Sequence, residues 1–141
     1  MTLRYGIIGG GFITEFQLRA LTSVRGVEVA GLVSRSPPER LARYVREQDL
    51  GAGTIYPNIG AMARDVDVLA FFGPNFTRVT ALEEAASAVA AGARLKGLII
   101  EKPLARNLAE ADRVIALARR IGVPTAYFEN QIYMRSVQRA L

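Results

Sequence analysis

The sequence lacks cysteine and histidine altogether, and it contains only two lysines, Lys96 and Lys102. Without cysteine the chain has no disulfide, thiol nucleophile or thiolate metal site, a composition compatible with a reducing cytoplasm. Without histidine it has no Ser-His pair and no imidazole ligand, so we expect no metal site. Its longest apolar runs are far shorter than the roughly 18 residues of a membrane-spanning helix. We therefore expect a cytoplasmic protein without a membrane partner.

The charge is positive but dispersed. The 141 residues carry a formal net charge of +5, and the 16 arginines never form a run of five or six. Dispersed arginines argue against a nucleic-acid partner and leave room for a local site that binds an anionic ligand. Half of the residues are hydrophobic and 22% are charged, which is the balance of a globular domain with a real core.

Apolar segments and helical patterns alternate along the chain. Short apolar runs bounded by glycine, proline or polar residues predict six strands, at 3–8, 27–33, 54–56, 66–72, 95–100 and 125–128. Between them, helical spacing predicts helices that start near 13, 36, 59, 76 and 107. Six strands separated mainly by helices predict an α/β fold: a doubly wound, mostly parallel Rossmann-type sheet with helices on both faces.

Three helices carry specific signals. The first has an apolar face made of Ile13, Phe16, Ala20, Leu21 and Val24. Ser36 as N-cap and Glu39 at the capping-box position predict the start of the second helix, which runs to about residue 48. Asn107 and Glu110 form a similar pair, and Gly122 closes the helix that they open.

Three consecutive glycines, Gly9 to Gly11, follow the first strand and lead directly into the first helix. Such a strand–turn–helix leaves backbone N–H groups and the positive end of the helix dipole open to an anion such as a pyrophosphate. Gly9 would form the turn and Gly11 would let the backbone approach the phosphates. Thr14 departs from the third small position of the dinucleotide-binding pattern. A glycine-rich strand end without a ligand is the alternative.

The end of the second strand bears on cofactor preference. NAD-dependent enzymes place an acidic residue there, roughly 20 residues after the glycine turn, to bind the ribose hydroxyls. This chain has Ser34 and Arg35. A hydroxyl and a guanidinium can hydrogen-bond a 2′-phosphate, and the guanidinium can stack on adenine. Given a nucleotide, these residues favour NADP over NAD. The alternative is that Ser34 and Arg35 are simply solvated turn residues.

The segment Glu101-Lys102-Pro103 follows the fifth strand, and Gly73-Pro74-Asn75 follows the fourth. Together with the glycine turn, these segments resemble the N-terminal domain of the Gfo/Idh/MocA oxidoreductases, from Tyr5 to about Tyr133. The resemblance implies a dinucleotide cofactor and hydride transfer between nicotinamide and a carbinol or carbonyl carbon of a sugar-like or cyclitol substrate.

The resemblance also implies roles for individual residues. Lys102 would be the catalytic residue, beside the nicotinamide and the substrate hydroxyl. The residues implied to bind the cofactor are Gly9, Gly11, Phe12 and Ile13 at the pyrophosphate, Ser34 and Arg35 at the adenosine ribose, and Pro74, Asn75, Glu101, Lys102, Pro103, Asn130 and Gln131 toward the nicotinamide. Chemistry supports Lys102 separately, because a partly desolvated lysine can transfer a proton or polarise a hydroxyl. A lysine paired with Glu101, or lying at the surface, is the alternative.

Two departures from the family pattern stand out. Gln17 and Arg78 occupy positions where family members commonly carry histidine. The resemblance also implies a second domain that supplies most of the substrate pocket, and we expect that domain to be missing. We therefore expect a truncated chain: a Rossmann domain over 1–133, and over 134–141 the start of a helix leading into the absent domain. Such a chain should show little turnover alone, and its uncovered apolar face should favour a homo-oligomer. A nucleotide-sensing module and a partner-binding Rossmann domain without nucleotide are the alternatives.

Overall fold

The structure, a computed structural model, describes residues 2–140. Met1 and Leu141, the outermost residues of the two predicted segments, lie outside the described residues. The strands are β1 (Leu3–Ile8), β2 (Val27–Val33), β3 (Thr54–Ile55), β4 (Val68–Phe71), β5 (Gly97–Glu101) and β6 (Thr125–Phe128). They form one sheet in the order β3-β2-β1-β4-β5-β6, and every neighbouring pair is parallel. The predicted doubly wound parallel sheet is confirmed.

Helices cover both faces of the sheet, as predicted. They are α1 (Phe12–Leu21), α2 (Glu39–Glu47), α3 (Ile59–Met62), α4 (Arg78–Ala90), α5 (Leu108–Ile121) and α6 (Arg135–Gln138), with 3₁₀ turns at Asn75–Thr77 and Asn130–Tyr133. One buried cluster joins α1 and α2 to the sheet, and another joins α3, α4 and α5 to its opposite face. Within residues 2–140, no helix is both long and apolar enough to cross a membrane.

Burial follows the position of each strand in the sheet. All four residues of β4 are buried because helices cover this central strand on both faces. The edge strand β6 is mostly exposed, and Tyr127 retains 48% of its accessible surface. The strand ends at the carboxyl edge of the central sheet are therefore held rigidly by a packed core.

The predicted apolar face of α1 is right only in part: Ile13 and Leu21 pack partly buried against the core, whereas Phe16, Ala20 and Val24 are exposed. The buried residues of this helix are Thr14 and Leu18, which lie four positions apart and so share one face. Phe16 is half exposed and stacks on Phe12, with 6.4 Å between the ring centroids. Val24 lies beyond the end of the helix and is also exposed. Counting apolar residues misplaced the face because the polar Thr14 belongs to the core.

The predicted capping of α2 is wrong. The helix begins at Glu39, with Pro38 at the cap and no side-chain capping bond. The Ser36 N–H instead donates to Ser34 Oγ at 3.3 Å, in a local turn. The predicted start of α5 is confirmed, because the Asn107 side chain accepts a hydrogen bond from the Glu110 N–H at 3.0 Å.

Candidate functional site

The glycine turn between β1 and α1 is wedged between the ends of β2 and β4. The Gly9 N–H donates to Val33 O of β2 at 2.8 Å, and Gly9 has a φ of +133°. A Cβ atom on Gly9 would lie 2.7 Å from the backbone nitrogen of Gly73, just after β4, and one on Gly10 would lie 2.3 Å from Ser34 Oγ. Strand order reverses at this point, and ligands of doubly wound sheets bind there.

The N-terminus of α1 is open. Gly11 caps the helix without any side-chain hydrogen bond, and the first bond inside the helix runs from the Glu15 N–H to Gly11 O at 3.2 Å. The N–H groups of the first turn therefore have no acceptor within the helix. A Cβ atom on Gly11 would meet no other atom within 4 Å. The Phe12 side chain is 77% exposed, whereas Ile13 packs partly buried on the core. This open helix end is suited to an anion.

Thr14 is a buried polar residue in the first turn of α1. Its side chain is fully buried, and its hydroxyl has no hydrogen-bond partner among the described residues. It occupies the third small position of the dinucleotide-binding pattern, where the helix packs against the sheet. The hydroxyl is therefore an unsatisfied group inside the interface.

Arg35, after β2, is exposed, and its guanidinium carbon lies 5.6 Å from the ring centroid of Phe76, after β4. Because β2 and β4 flank β1, this pair spans the glycine turn. No acidic residue occurs between Glu28 and Glu39. Phe76 was not predicted as a site residue; its only sequence signal was an aromatic residue directly after Pro74-Asn75.

The loop after β5 holds Lys102. Glu101 is the last residue of β5 and is buried, whereas Lys102 and Pro103 are exposed and joined by a cis peptide bond. The expected partial burial of Lys102 is wrong, because its side chain leaves the sheet one residue after the buried strand ends. Among residues 2–140, no ion pair involves Lys102, so the alternative pairing with Glu101 is absent too. The Lys102 ammonium faces the solvent at the carboxyl edge of the sheet.

Arg78, predicted only as a departure from the family pattern, connects two of these loops. Its buried guanidinium donates to the carbonyl oxygens of Glu101, Pro103 and Leu104, and to that of Gly73. Burial lowers the pKa of Arg78, and the nearby Glu101 carboxylate opposes that shift. Sequence analysis does not reveal that Arg78 is buried, because an arginine is expected to be exposed unless its surroundings are known.

Among the remaining predicted residues, only some lie next to the Lys102 loop. The Asn75 side chain donates to Ala105 O at 3.5 Å, next to the Lys102 loop, and Pro74 is exposed beside it. Asn130 and Gln131 follow β6 and are exposed, and the Gln131 N–H donates to Glu129 Oε1. The structure describes no hydrogen bond that joins these two residues to the other loops. Residues 2–140 contain no cluster of three or more acidic side chains that could hold a metal ion.

A sequence model of the Gfo/Idh/MocA oxidoreductases, described as an oxidoreductase family with an NAD-binding Rossmann fold, matches residues 3–128. The chain belongs to this family. The match covers the glycine turn and the loops after β2, β4 and β5, so these belong to the NAD-binding domain of a Gfo/Idh/MocA oxidoreductase. The predicted family is confirmed.

Relatives of this Gfo/Idh/MocA domain are longer proteins. The 1,5-anhydro-D-fructose reductase of Ensifer adhaerens is 32% identical over 120 residues, which are 85% of this chain and 34% of the reductase. The crystal structure of myo-inositol 2-dehydrogenase from Lactobacillus plantarum is 22% identical, with a TM-score of 0.78 over 99% of this chain and 40% of the dehydrogenase. An oxidoreductase from Agrobacterium radiobacter in complex with NAD+, L-tartaric acid and magnesium is 23% identical, with a TM-score of 0.78 over 99% of this chain and 39% of that one. The chain thus spans about a third of the curated relative's length and about two fifths of each structure.

Proposed function

We propose that this Gfo/Idh/MocA domain holds a dinucleotide across the carboxyl edge of the sheet, with the pyrophosphate at the N-terminus of α1. The observation that carries the proposal is the space at Gly11, where a Cβ atom would meet nothing although the fold packs tightly around Gly9 and Gly10. A pyrophosphate would fill that space and accept hydrogen bonds from the free N–H groups of the first turn. The residues of the proposed site are Gly9, Gly11, Phe12, Ile13, Ser34, Arg35, Pro74, Asn75, Glu101, Lys102, Pro103, Asn130 and Gln131.

The proposed cofactor is NADP rather than NAD. Its 2′-phosphate would lie at Ser34 and Arg35, in a loop that carries no acidic residue between Glu28 and Glu39. The Arg35 guanidinium is exposed, lies 5.6 Å from the Phe76 ring and forms no ion pair among residues 2–140, so its donors are available for charge-assisted hydrogen bonds. Phe76 would provide a flat apolar surface beside the adenine.

The proposed reaction moves hydride between the nicotinamide and a carbinol or carbonyl carbon of a sugar-like or cyclitol substrate. Relatives that act on 1,5-anhydro-D-fructose and myo-inositol support this substrate class. In that reaction the exposed Lys102 would transfer the proton of the substrate hydroxyl or polarise it. Residues 134–140 would lead toward a second domain that completes the cleft, so we expect little turnover from this chain alone.

Calorimetric titration with NADPH and NADH tests the cofactor assignment. The wild-type chain should bind NADPH more tightly, and Arg35→Gln should remove most of that difference by losing a hydrogen bond to a charged group, worth about 1.5–3 kcal/mol. Arg113→Gln is the matched control, because Arg113 pairs with Glu83 between α4 and α5. NADH binding as tight as NADPH binding would contradict the NADP assignment.

Lys102 can be tested through the charge of the nicotinamide, which is positive only in the oxidised cofactor. If the ammonium lies within about 4 Å of the ring, repulsion disfavours NADP+ by about 1 kcal/mol in a water-like dielectric. Lys102→Met should therefore improve NADP+ affinity roughly fivefold relative to NADPH. An unchanged ratio of the two affinities would place Lys102 away from the nicotinamide.

A further inference from the structure

The Arg78 side chain is an unusual buried cation at the start of α4, with 2% of its surface exposed. Burying a guanidinium is costly unless its donors are satisfied. Within residues 2–140, the acceptors of its hydrogen bonds are all main-chain carbonyl oxygens. These hydrogen bonds to main-chain carbonyls make the guanidinium a crosslink between the loops after β4 and β5.

The acceptors of these hydrogen bonds lie on both sides of Lys102 in the chain. Nη1 lies 2.6 Å from Glu101 O and 3.3 Å from Leu104 O, and it also donates to Pro103 O. Three of the four acceptors thus lie within two residues of Lys102, one before it and two after it. The main chain is held on both sides of Lys102, although the lysine side chain itself is exposed.

The fourth acceptor connects Lys102 to the glycine turn. Nη2 donates to Gly73 O at 3.1 Å. Gly73 in turn packs so closely on Gly9 that a Cβ atom on Gly9 would lie 2.7 Å from its nitrogen. One rigid, planar group therefore sets the distance between the segment 101–104 and the proposed pyrophosphate site. A lysine ammonium is a compact point charge and would not span these carbonyls in the same way.

We infer that Arg78 is a positioning residue that fixes Lys102 relative to the glycine turn. This role rests on the proposed function, in which Lys102 lies beside the nicotinamide and the turn holds the pyrophosphate. The consequence is specific: loss of the Arg78 crosslink loosens the loop that contacts the nicotinamide and leaves the adenosine half of the site unchanged.

Hydrogen–deuterium exchange of the ligand-free chain tests the crosslink without any cofactor. In Arg78→Gln, the amides at the two ends of the Lys102 loop, Glu101 in β5 and Arg106 bonded to Glu110 Oε2, should exchange on the order of tenfold faster, while those of β1 and β4 keep their protection. Arg113→Gln should change neither. Unchanged exchange at Glu101 and Arg106, or an equal acceleration in β1 and β4, would overturn the inference. Arg78→Lys, which keeps a charge and three donors, carries the same test if the glutamine variant does not fold.

Binding measurements test the consequence for the cofactor. NADPH is compared with 2′-phospho-ADP-ribose, which lacks the nicotinamide ring. The Arg78 variants should bind NADPH about five- to tenfold more weakly and the ring-less ligand within about twofold of wild type, since only preorganisation of the nicotinamide loop is lost. Equal weakening of both ligands, or of neither, would overturn the positioning role. Failure of the wild-type chain to bind either ligand would instead refute the proposed function, and the exchange experiment would still decide the crosslink.

Discussion

The substitution Gly11→Ala should weaken binding of the proposed ligand while leaving the stability of the fold nearly unchanged. Gly11 has a φ of −92° and a ψ of −168°, which any residue adopts, and an added Cβ atom would meet nothing within 4 Å. Alanine is a poorer N-cap than glycine by up to about 1 kcal/mol. Against this, alanine lowers the entropy of the unfolded chain, which stabilises the fold by about 0.4–1 kcal/mol. The two terms nearly cancel, so the melting temperature should stay within about 2–3 °C of wild type.

Ligand binding should respond very differently. The added methyl group would occupy the space into which the pyrophosphate is proposed to fit, and one phosphate oxygen would lose its bond to a backbone N–H. A hydrogen bond to a charged group contributes about 1.5–3 kcal/mol, so NADPH affinity should fall roughly 10- to 100-fold.

Calorimetric titration with NADPH, together with a thermal melt of each variant, provides the assay. Gly60→Ala in α3 is the matched control, because its Cβ atom would make only an ordinary 3.5 Å contact with Asn58 Oδ1. NADPH binding of Gly11→Ala at wild-type strength would refute the placement of the pyrophosphate. A large drop in melting temperature would refute the claim that the fold tolerates a side chain at this position.

Three further predictions concern stability. Thr14→Val removes a buried hydroxyl that has no hydrogen-bond partner among residues 2–140, at nearly constant volume. It should stabilise the chain by about 1 kcal/mol, seen as a melting temperature about 3 °C higher. A melting temperature below that of wild type would mean that the hydroxyl is satisfied. Asn107→Ala removes the cap of α5 and should cost about 1 kcal/mol in urea unfolding, and no loss would contradict the Asn107 cap described above. The hydrogen bond from Lys96, at 2.7 Å, lowers the pKa of Asp67 below its ordinary value of 3.8. This ion pair stabilises the fold when the pH is above 3.8, and that stabilisation is lost as the pH falls through the pKa of Asp67 in the folded chain. The urea midpoint should therefore drop less between pH 5 and pH 3 in Asp67→Asn than in wild type, and equal drops would exclude the linkage.

Local signals in the sequence were sufficient for the strands and the fold class. β1, β2 and β6 begin and end at the predicted residues, because a short apolar run bounded by glycine, proline or polar residues leaves little choice of where the strand begins and ends. The family resemblance, carried by Glu101-Lys102-Pro103 and the glycine turn, was confirmed by the match over residues 3–128. The start of α5 also followed from sequence, because the cap of Asn107 on the Glu110 N–H involves residues three apart in the chain.

Other features depended on how each helix is placed on the sheet. Ser36 is not the cap because α2 begins at Glu39 with Pro38 at the cap position, and Phe16 is not a core residue because Thr14 and Leu18 occupy the buried face of α1. Neither the start of α2 nor the buried face of α1 could be read from the local sequence pattern.

By itself, the sequence determined an α/β chain with an anion-friendly glycine turn and a lysine after the fifth strand. Only the tertiary structure decided how those parts are joined. Arg78 and Glu101 are 23 residues apart in the chain, yet a buried guanidinium bonds the carbonyl of Glu101 at 2.6 Å. Burial makes that contact obligatory, because a guanidinium removed from water must find acceptors wherever the fold places them. The exposure of Lys102 and the open space at Gly11 were decided in the same way, by what packs around them.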